Sequence, residues 1–249
     1  MHDFIDAFAL AFCVTFLLGS IPFGLIISRV FYKTDIRDHG SGNIGTTNAI
    51  RTMGKLGGFS VFILDFGKGL LSGFVGIWIG QLFLRLRGST AIADELFQIL
   101  SPAGIAPIGD PADFAVSFTQ ILLTISFLGC TWGHIFSPWL KFKGGKGIAV
   151  AVGCIFVTYG IVGACLELSI FIILVLLTRY VSVGSIAAAI ACPFFGLYFF
   201  WGNWIAVFFC ALAGMTVFWA HRENVKRLLV GKENRIGDKK KAYAEGGKQ

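Results

Sequence analysis

Long apolar runs are the feature that most restricts the fold of this chain. Hydrophobic residues make up 55% of its 249 residues, charged residues only 14%, and the mean hydropathy is +0.76. This composition is typical of an integral membrane protein and leaves little sequence for a separate soluble domain. Because a hydrocarbon core about 30 Å thick needs roughly 20 apolar residues per helix, we predict an all-α protein with seven transmembrane helices. They are predicted at Phe8–Phe31, Phe59–Leu84, Phe114–Trp132, Ile148–Ile161, Val162–Thr178, Val183–Trp201 and Trp204–Trp219.

The fourth and fifth of these helices come from one apolar stretch. Ile148 to Thr178 holds 31 residues, with Gly160 and Gly163 near its middle. The stretch is long for one upright helix and short for two. We interpret it as a tight hairpin, because a single span would put the basic segments on opposite sides of the membrane.

The distribution of Lys and Arg predicts the orientation. With seven spans, eighteen of the 21 Lys and Arg residues fall on one side, and only Arg85 and Arg87 fall on the other. The positive-inside rule then places the N-terminus outside and the C-terminus in the cytoplasm. We expect one transmembrane domain at 1–237, with an extracytoplasmic connection at 85–113 in which 91–100 forms a short interfacial helix. The basic tail at 238–249 is expected to be cytoplasmic.

Three polar, glycine-rich or cationic segments lie on the predicted cytoplasmic side: Gly40–Arg51, Lys141–Gly147 and His221–Arg227. Gly40 to Gly45 matches a dinucleotide fingerprint literally, but a membrane span precedes it instead of a strand. Gly144 to Gly147 lacks the glycine spacing and the Ser or Thr of a P-loop. The segments therefore predict an anion site at the membrane surface, with no nucleotide and no metal.

Gly144, Gly145 and Gly147 lack a Cβ, so we expect their N–H groups to approach an anion closely beside Lys146 and the start of a helix. A flexible interfacial turn is the alternative. Ser41 and the group Thr46 to Asn48 could likewise be caps and turn formers.

His221 and Asn224 are three residues apart and share a helix face. An imidazole there could accept a proton while the amide orients a hydroxyl or a carbonyl; a structural histidine is the alternative. Asp65 and Lys68 are one turn apart and are expected to neutralise each other inside the membrane. The six cysteines lie in apolar segments and are interpreted as packing residues.

Six segments in order resemble one family of bacterial membrane enzymes, the PlsY-type acyl-phosphate:glycerol-3-phosphate acyltransferases. These segments are GSIPFG from Gly19, GSGNIGTTNAIR from Gly40, LDFGKG from Leu64, GHIFSPWLKFKGGKG from Gly133, RYVSVGSI from Arg179 and HRENVKRLL from His221. Two regions depart from the family: the 85–113 connection and the lysine-rich tail are both longer.

The resemblance implies a seven-helix enzyme of the bacterial inner membrane, with its active site facing the cytoplasm. It implies transfer of an acyl group from acyl phosphate to glycerol 3-phosphate, which yields 1-acyl-glycerol 3-phosphate and inorganic phosphate for phospholipid synthesis. No cofactor and no nucleic acid is implied; the partners are the two substrates, membrane lipid and enzymes of lipid synthesis. By position, the implied catalytic residues are Ser41, His221 and Asn224, and the implied substrate-binding residues are Asn43, Arg51, Lys141, Gly144, Gly145, Lys146, Gly147 and Ser182. The hydroxyl proton could go to His221 or to a phosphate oxygen of the donor.

Other functions have less support in the sequence. A coenzyme-A-dependent acyltransferase of the H-x4-D type is disfavoured, because no histidine has an aspartate five residues on. A membrane transporter of an organic phosphate is the main alternative from composition alone. A transporter would be expected to place its polar residues near the middle of the membrane rather than at one face. A lipid-binding scaffold would leave the His221 and Asn224 pair unexplained.

Overall fold

A computed structural model describes residues 3–88, residue 91 and residues 111–237. The described part is helical, and the predictions for the 91–100 helix and the 238–249 tail lie outside it apart from residue 91. Its α-helices are α1 Asp3–Ser20, α2 Phe23–Phe31, α3 Thr46–Arg87, α4 Pro111–Ile135, α5 Ile148–Thr158, α6 Gly160–Thr178, α7 Val181–Phe199, α8 Trp204–Ala220 and α9 Arg222–Leu229.

Five helices of the described chain are long and apolar enough to cross a membrane, if α1 and α2 are counted together. A sixth span results if α8 and α9, which meet at 49°, count as one. The helix α5 is apolar but has only 11 residues, about 17 Å of helix. Seven spans therefore require α5 to cross as well, and this count and the orientation stay predictions.

The predicted division of the Ile148 to Thr178 stretch into two helices is confirmed. The helices α5 and α6 meet at Gly160, which has a φ of +69° that glycine adopts without strain. The helix α3 begins thirteen residues before the predicted Phe59, and it changes direction at Gly54, where φ is +78°. Its first turns are polar, so hydropathy alone did not detect them.

The helix α4 is the centre of the bundle. In its most apolar window 72% of the residues are buried, against 17% for α6. It packs against α1, α3 and α8. Glycines allow the close approach: a Cβ on Gly19 of α1 would collide with the Cys130 backbone of α4, and one on Gly133 would collide with the Phe16 backbone. Small residues at helix contacts are typical of membrane bundles.

Ionisable side chains lie inside this bundle. The Lys68 Nζ is 2.9 Å from the Asp65 Oδ1, and both side chains are almost fully buried. The predicted neutralisation of this pair is therefore confirmed. All six cysteines are free thiols. Cys130, Cys154, Cys192 and Cys210 are buried, as expected for packing residues, whereas Cys13 and Cys165 are exposed and do not fit that interpretation.

Candidate active site

The loop before α3 is organised by the buried side chain of Asn48. Its Oδ1 accepts the Ser41 N–H at 2.8 Å, and its Nδ2 donates to the Asn43 carbonyl, also at 2.8 Å. Two more carbonyls, of Ile36 and His39, accept from the same amide nitrogen. A single carboxamide thus fixes the loop, and Ser41 is left exposed on it.

Gly40 lies directly against the Asn48 carboxamide at a φ of +62°, so a side chain would be excluded there. The Asn43 Oδ1 accepts the Gly45 N–H at 2.9 Å, which caps the turn into α3. The alternative interpretation of Ser41 and Thr46 to Asn48 as caps and turn formers is therefore supported for Asn48, and Asn43, which was predicted to bind substrate, also has a capping role. Their structural role still places Ser41 at the start of α3.

Arg51 follows in the first turns of α3. Its side chain is exposed and forms no ion pair with any residue that the structure describes. It lies close enough to Lys146 to lower the pKa of that lysine. An unpaired guanidinium at the edge of a cationic cluster is available for a phosphate.

The glycine loop between α4 and α5 is docked onto the end of α4. The Gly144 N–H donates to the Ile135 carbonyl at 2.9 Å, and the Gly145 N–H donates to the His134 carbonyl at 3.0 Å. A Cβ on Gly145 would overlap the His134 ring. The expectation that these two N–H groups are free to contact an anion is therefore wrong, because both are used to attach the loop to α4.

The start of α5 still offers free N–H groups. Gly147 directly precedes α5 and has a φ of +84°. The first N–H group of the helix with a carbonyl partner is that of Ala151, which donates to the Gly147 carbonyl. The N–H groups of the first turn, from Ile148 on, lack intrahelical partners. An anion beside Gly147 would therefore meet free N–H groups and the positive end of the helix dipole.

Lys146 lies beside that helix end and is partly buried. Its pKa is lowered to about 8, first by burial and then by the positive charges of Arg227 and Arg51, whereas Glu233 opposes the shift. The ammonium is still charged at neutral pH. Lys141, by contrast, is exposed at a φ of +53° after the 3-10 turn Pro138–Leu140.

His221 is buried at the junction of α8 and α9. Its own N–H bonds to Phe218, and its ring Nδ1 lies 2.8 Å from the Val217 carbonyl. A carbonyl can only accept, so Nδ1 must carry the proton and Nε2 must present a lone pair. The pKa of His221 is lowered to about 4, mainly by burial, with Lys146 adding to the effect; the Val217 bond and Glu233 oppose it. The imidazole is therefore neutral at pH 7.

Asn224 is buried one turn later. Its Nδ2 donates to the Glu233 Oε1 at 2.8 Å, which leaves its Oδ1 buried and without a hydrogen-bond partner among the described residues. The Arg227 Nε contacts the other Glu233 oxygen at 2.7 Å. Burial would raise the pKa of Glu233, but hydrogen bonds from Asn224 and Arg227, together with the nearby Ser182 hydroxyl, lower it below its ordinary value. Glu233 is therefore a carboxylate that fixes which atom of Asn224 faces the site.

The segment after α9 brings Glu233 into place. The Ile236 N–H donates to the Arg179 carbonyl at 2.8 Å, and the Arg235 guanidinium lies 4.9 Å from the centre of the Tyr180 ring. The chain thus folds back onto the turn between α6 and α7, next to Ser182 at the start of α7. Sequence reasoning missed Glu233 because it lies between the predicted site segment, which ends at Arg227, and the predicted tail, which begins at residue 238. Its position close to Lys232 and Arg235 was the available signal.

The structure therefore groups Lys146, Arg51, His221, Asn224 and Ser182 with two residues that were not predicted, Arg227 and Glu233. No hydrogen bond or ion pair joins Ser41, Asn43 or Lys141 to these side chains in the part of the chain that the structure describes.

Known proteins are similar to this chain over most of its length. A family profile described as glycerol-3-phosphate acyltransferase matches residues 9–231. The glycerol-3-phosphate acyltransferase of Thermosynechococcus vestitus is 35% identical over 224 residues, which cover 90% of this chain and 92% of the relative. That of Zymomonas mobilis is 36% identical over 233 residues, 92% of this chain and 95% of the relative.

Two solved structures are similar as well. Both are crystal structures of PlsY (YgiH), an integral membrane glycerol 3-phosphate acyltransferase, at 30% identity over 92% of this chain. The glycerol 3-phosphate form has a TM-score of 0.70 and is covered to 96%. The lysophosphatidic acid form has a TM-score of 0.67 and is covered to 95%.

Proposed function

The chain belongs to the glycerol-3-phosphate acyltransferase family, and we propose that it takes its acyl group from acyl phosphate. It is an integral membrane acyltransferase of phospholipid biosynthesis. The proposed products are 1-acyl-glycerol 3-phosphate and inorganic phosphate. We further propose seven spans in the bacterial inner membrane, with the active site facing the cytoplasm.

One observation carries the proposal: two unused hydrogen-bond acceptors lie beside a group of cations. The His221 Nε2 presents a lone pair, and the Asn224 Oδ1 is buried without a partner among the described residues. A buried acceptor without a donor is costly, so a bound hydroxyl would satisfy it. Glycerol 3-phosphate supplies such hydroxyls together with a phosphate.

The cations account for the two phosphates of the proposed reaction. Lys146 and Arg51 lie near each other, and the start of α5 offers free N–H groups beside Lys146. We assign Arg51 to the phosphate of glycerol 3-phosphate. We assign Lys146, with the free N–H groups that follow Gly147, to acyl phosphate; Gly144 and Gly145 shape this loop through their hydrogen bonds to α4. The similar structures are a glycerol 3-phosphate form and a lysophosphatidic acid form, which supports one substrate and the product.

The proposed step needs no covalent acyl-enzyme. The glycerol hydroxyl oxygen attacks the acyl carbonyl carbon, a C–O ester bond forms, and the C–O bond to phosphate breaks with its electron pair leaving on phosphate. Because acyl phosphate is a mixed anhydride with a good leaving group, positioning, one proton acceptor and carbonyl stabilisation are sufficient. Asn224, whose free Oδ1 is an acceptor, would orient the hydroxyl, and Ser41 would orient the hydroxyl or the carbonyl oxygen.

Two groups compete for the hydroxyl proton. The ring proton of His221 lies on Nδ1, so Nε2 is free to accept the hydroxyl proton. The negative charge of two bound phosphates would raise the low pKa of His221. A phosphate oxygen of the donor is the other acceptor. We assign the proton to His221. The kcat of a His221→Asn variant decides between His221 and the phosphate oxygen as the proton acceptor.

Purified full-length protein tests the function. With acyl phosphate and glycerol 3-phosphate, it should release inorganic phosphate and form 1-acyl-glycerol 3-phosphate in equal amounts. Omission of glycerol 3-phosphate should reduce phosphate release to the uncatalysed rate. Product formation from acyl coenzyme A but not from acyl phosphate would refute the donor assignment. Transport of glycerol 3-phosphate into sealed vesicles without acylation would instead support the organic-phosphate transporter.

A further inference from the structure

Lys68 is buried beside His134, whose ring packs against the glycine loop, and it has three polar partners: two accept hydrogen bonds from it, and Asp65 forms an ion pair with it. Its Nζ is 2.9 Å from the Ile21 carbonyl at the break between α1 and α2, 2.9 Å from the Asp65 Oδ1 and 3.0 Å from the His134 Nδ1. An ammonium group has three donors and no lone pair. One buried charge therefore connects the α1–α2 break, α3 and the end of α4.

This geometry also fixes the tautomer of His134. A charged Lys68 can only donate, so the His134 Nδ1 must accept and the proton of the neutral ring lies on Nε2. The ring Nε2 is the atom nearest to the position that a Cβ on Gly145 would take. The Nδ1 edge of His134 is thus held by Lys68, and its Nε2 edge lies against the glycine loop.

The backbone of His134 holds the same loop. Its carbonyl accepts the Gly145 N–H at 3.0 Å, and a Cβ on Gly144 would collide with that carbonyl. Nearby, the Ser137 Oγ donates to the Ser20 carbonyl at 2.7 Å, so the end of α4 is also attached to the end of α1. The position of the loop is therefore set from inside the bundle, by contacts that run through His134.

We propose that Lys68 and His134 are positioning residues, which set the place of the Gly144 to Gly147 loop and so its affinity for a substrate phosphate. The proposal rests on the proposed function, because it assumes that this loop binds acyl phosphate. A charged side chain inside a membrane bundle is costly to keep. Its retention is explained if Lys68 fixes the ring against which the loop is packed.

Matched substitutions of His134 test the proposal. His134→Ala removes both ring edges, whereas His134→Asn places an amide oxygen near the position of Nδ1 and keeps an acceptor for Lys68. Thr124→Val is the folding control, because Thr124 is fully buried in α4 and lies ten residues, about 15 Å, before His134. Steady-state kinetics for both substrates and apparent melting temperatures are measured on purified full-length protein.

His134→Ala is expected to raise the acyl-phosphate KM on the order of tenfold to a hundredfold, with kcat and the glycerol 3-phosphate KM changed less than about threefold. His134→Asn should recover at least part of that loss, and Thr124→Val should leave both KM values unchanged. A purely structural role would lower the amount of active enzyme or the melting temperature without a selective change in KM. That result for a folded His134→Ala protein overturns the proposal.

A second variant covers the case in which His134→Ala does not fold. Asp65→Asn combined with Lys68→Met removes both buried charges together, so neither is left unpaired. The same selective rise in KM is expected, and an unchanged acyl-phosphate KM overturns the proposal. The wild-type protein separates the two hypotheses: if it does not acylate glycerol 3-phosphate from acyl phosphate, the proposed function fails, whereas an active wild type with unaffected variants refutes only the positioning role.

Discussion

Substitution of His221 separates proton transfer from helix capping. The ring does two things: its Nδ1–H satisfies the Val217 carbonyl, and its Nε2 is the proposed proton acceptor. His221→Asn keeps a side-chain N–H near the Nδ1 position but has no basic nitrogen. His221→Ala removes both groups and leaves a buried carbonyl unsatisfied, which costs about 1 to 3 kcal/mol of folding free energy.

The two variants are therefore expected to share a kinetic defect and differ in stability. Loss of a general base lowers kcat roughly 10² to 10⁴-fold, which corresponds to about 3 to 5 kcal/mol in the barrier. His221→Asn should show this loss at a near-normal melting temperature, and His221→Ala should show it together with a melting temperature several degrees lower. The glycerol 3-phosphate KM should change little in either variant.

The assay is phosphate release at saturating substrates, with the apparent melting temperature followed in the same detergent. If His221→Asn keeps a near-normal kcat, the general-base assignment is refuted. The hydroxyl proton would then go to a phosphate oxygen of the donor, and His221 would be a capping residue that shapes the junction of α8 and α9.

Three further predictions concern binding and topology. Because the pKa of Lys146 is lowered to about 8, the lysine loses its charge as the pH rises through that value, so kcat/KM should fall above about pH 8; Lys146→Arg should remove this fall, and a flat wild-type profile to pH 9.5 would contradict it. Arg51→Ala should raise the glycerol 3-phosphate KM roughly tenfold to a hundredfold with kcat nearly unchanged, since it removes a charged contact to phosphate; an unchanged KM would exclude that contact. In a background without native cysteines, probes at Gly42 and Lys143 should react only from the cytoplasmic side and one at Ser89 only from outside; labelling of Lys143 from outside would refute the seven-span count.

The membrane helices could be predicted because each depends on its own composition. The helix α8 begins at the predicted Trp204 and ends at Ala220, one residue after the predicted end. The start of α3 was missed because the polar turns before Gly54 lie outside any apolar window. Hydropathy therefore locates the apolar part of a helix but not its polar extension.

The site could be predicted only where the chemistry is local. The spacing of His221 and Asn224 predicted a shared helix face. The structure instead places His221 at the break between α8 and α9 and Asn224 in the first turn of α9, and both residues are still buried in the same group. The partners of Gly144 and Gly145 lie on α4, and the partner of Asn224 lies nine residues further along a segment that folds back. Such hydrogen bonds depend on tertiary structure, which no local spacing encodes.

The Lys68 cluster also bears on how this protein enters the membrane during synthesis. A lysine near a helix centre costs about 2.5 to 3.5 kcal/mol on insertion. Because α3 precedes α4 in the chain, Asp65 on the same helix and Ile21 from the preceding segment are synthesised before His134 and are available to Lys68 first. Its third contact, with His134, forms only when α4 arrives, which makes that contact a marker of the order in which the helices assemble.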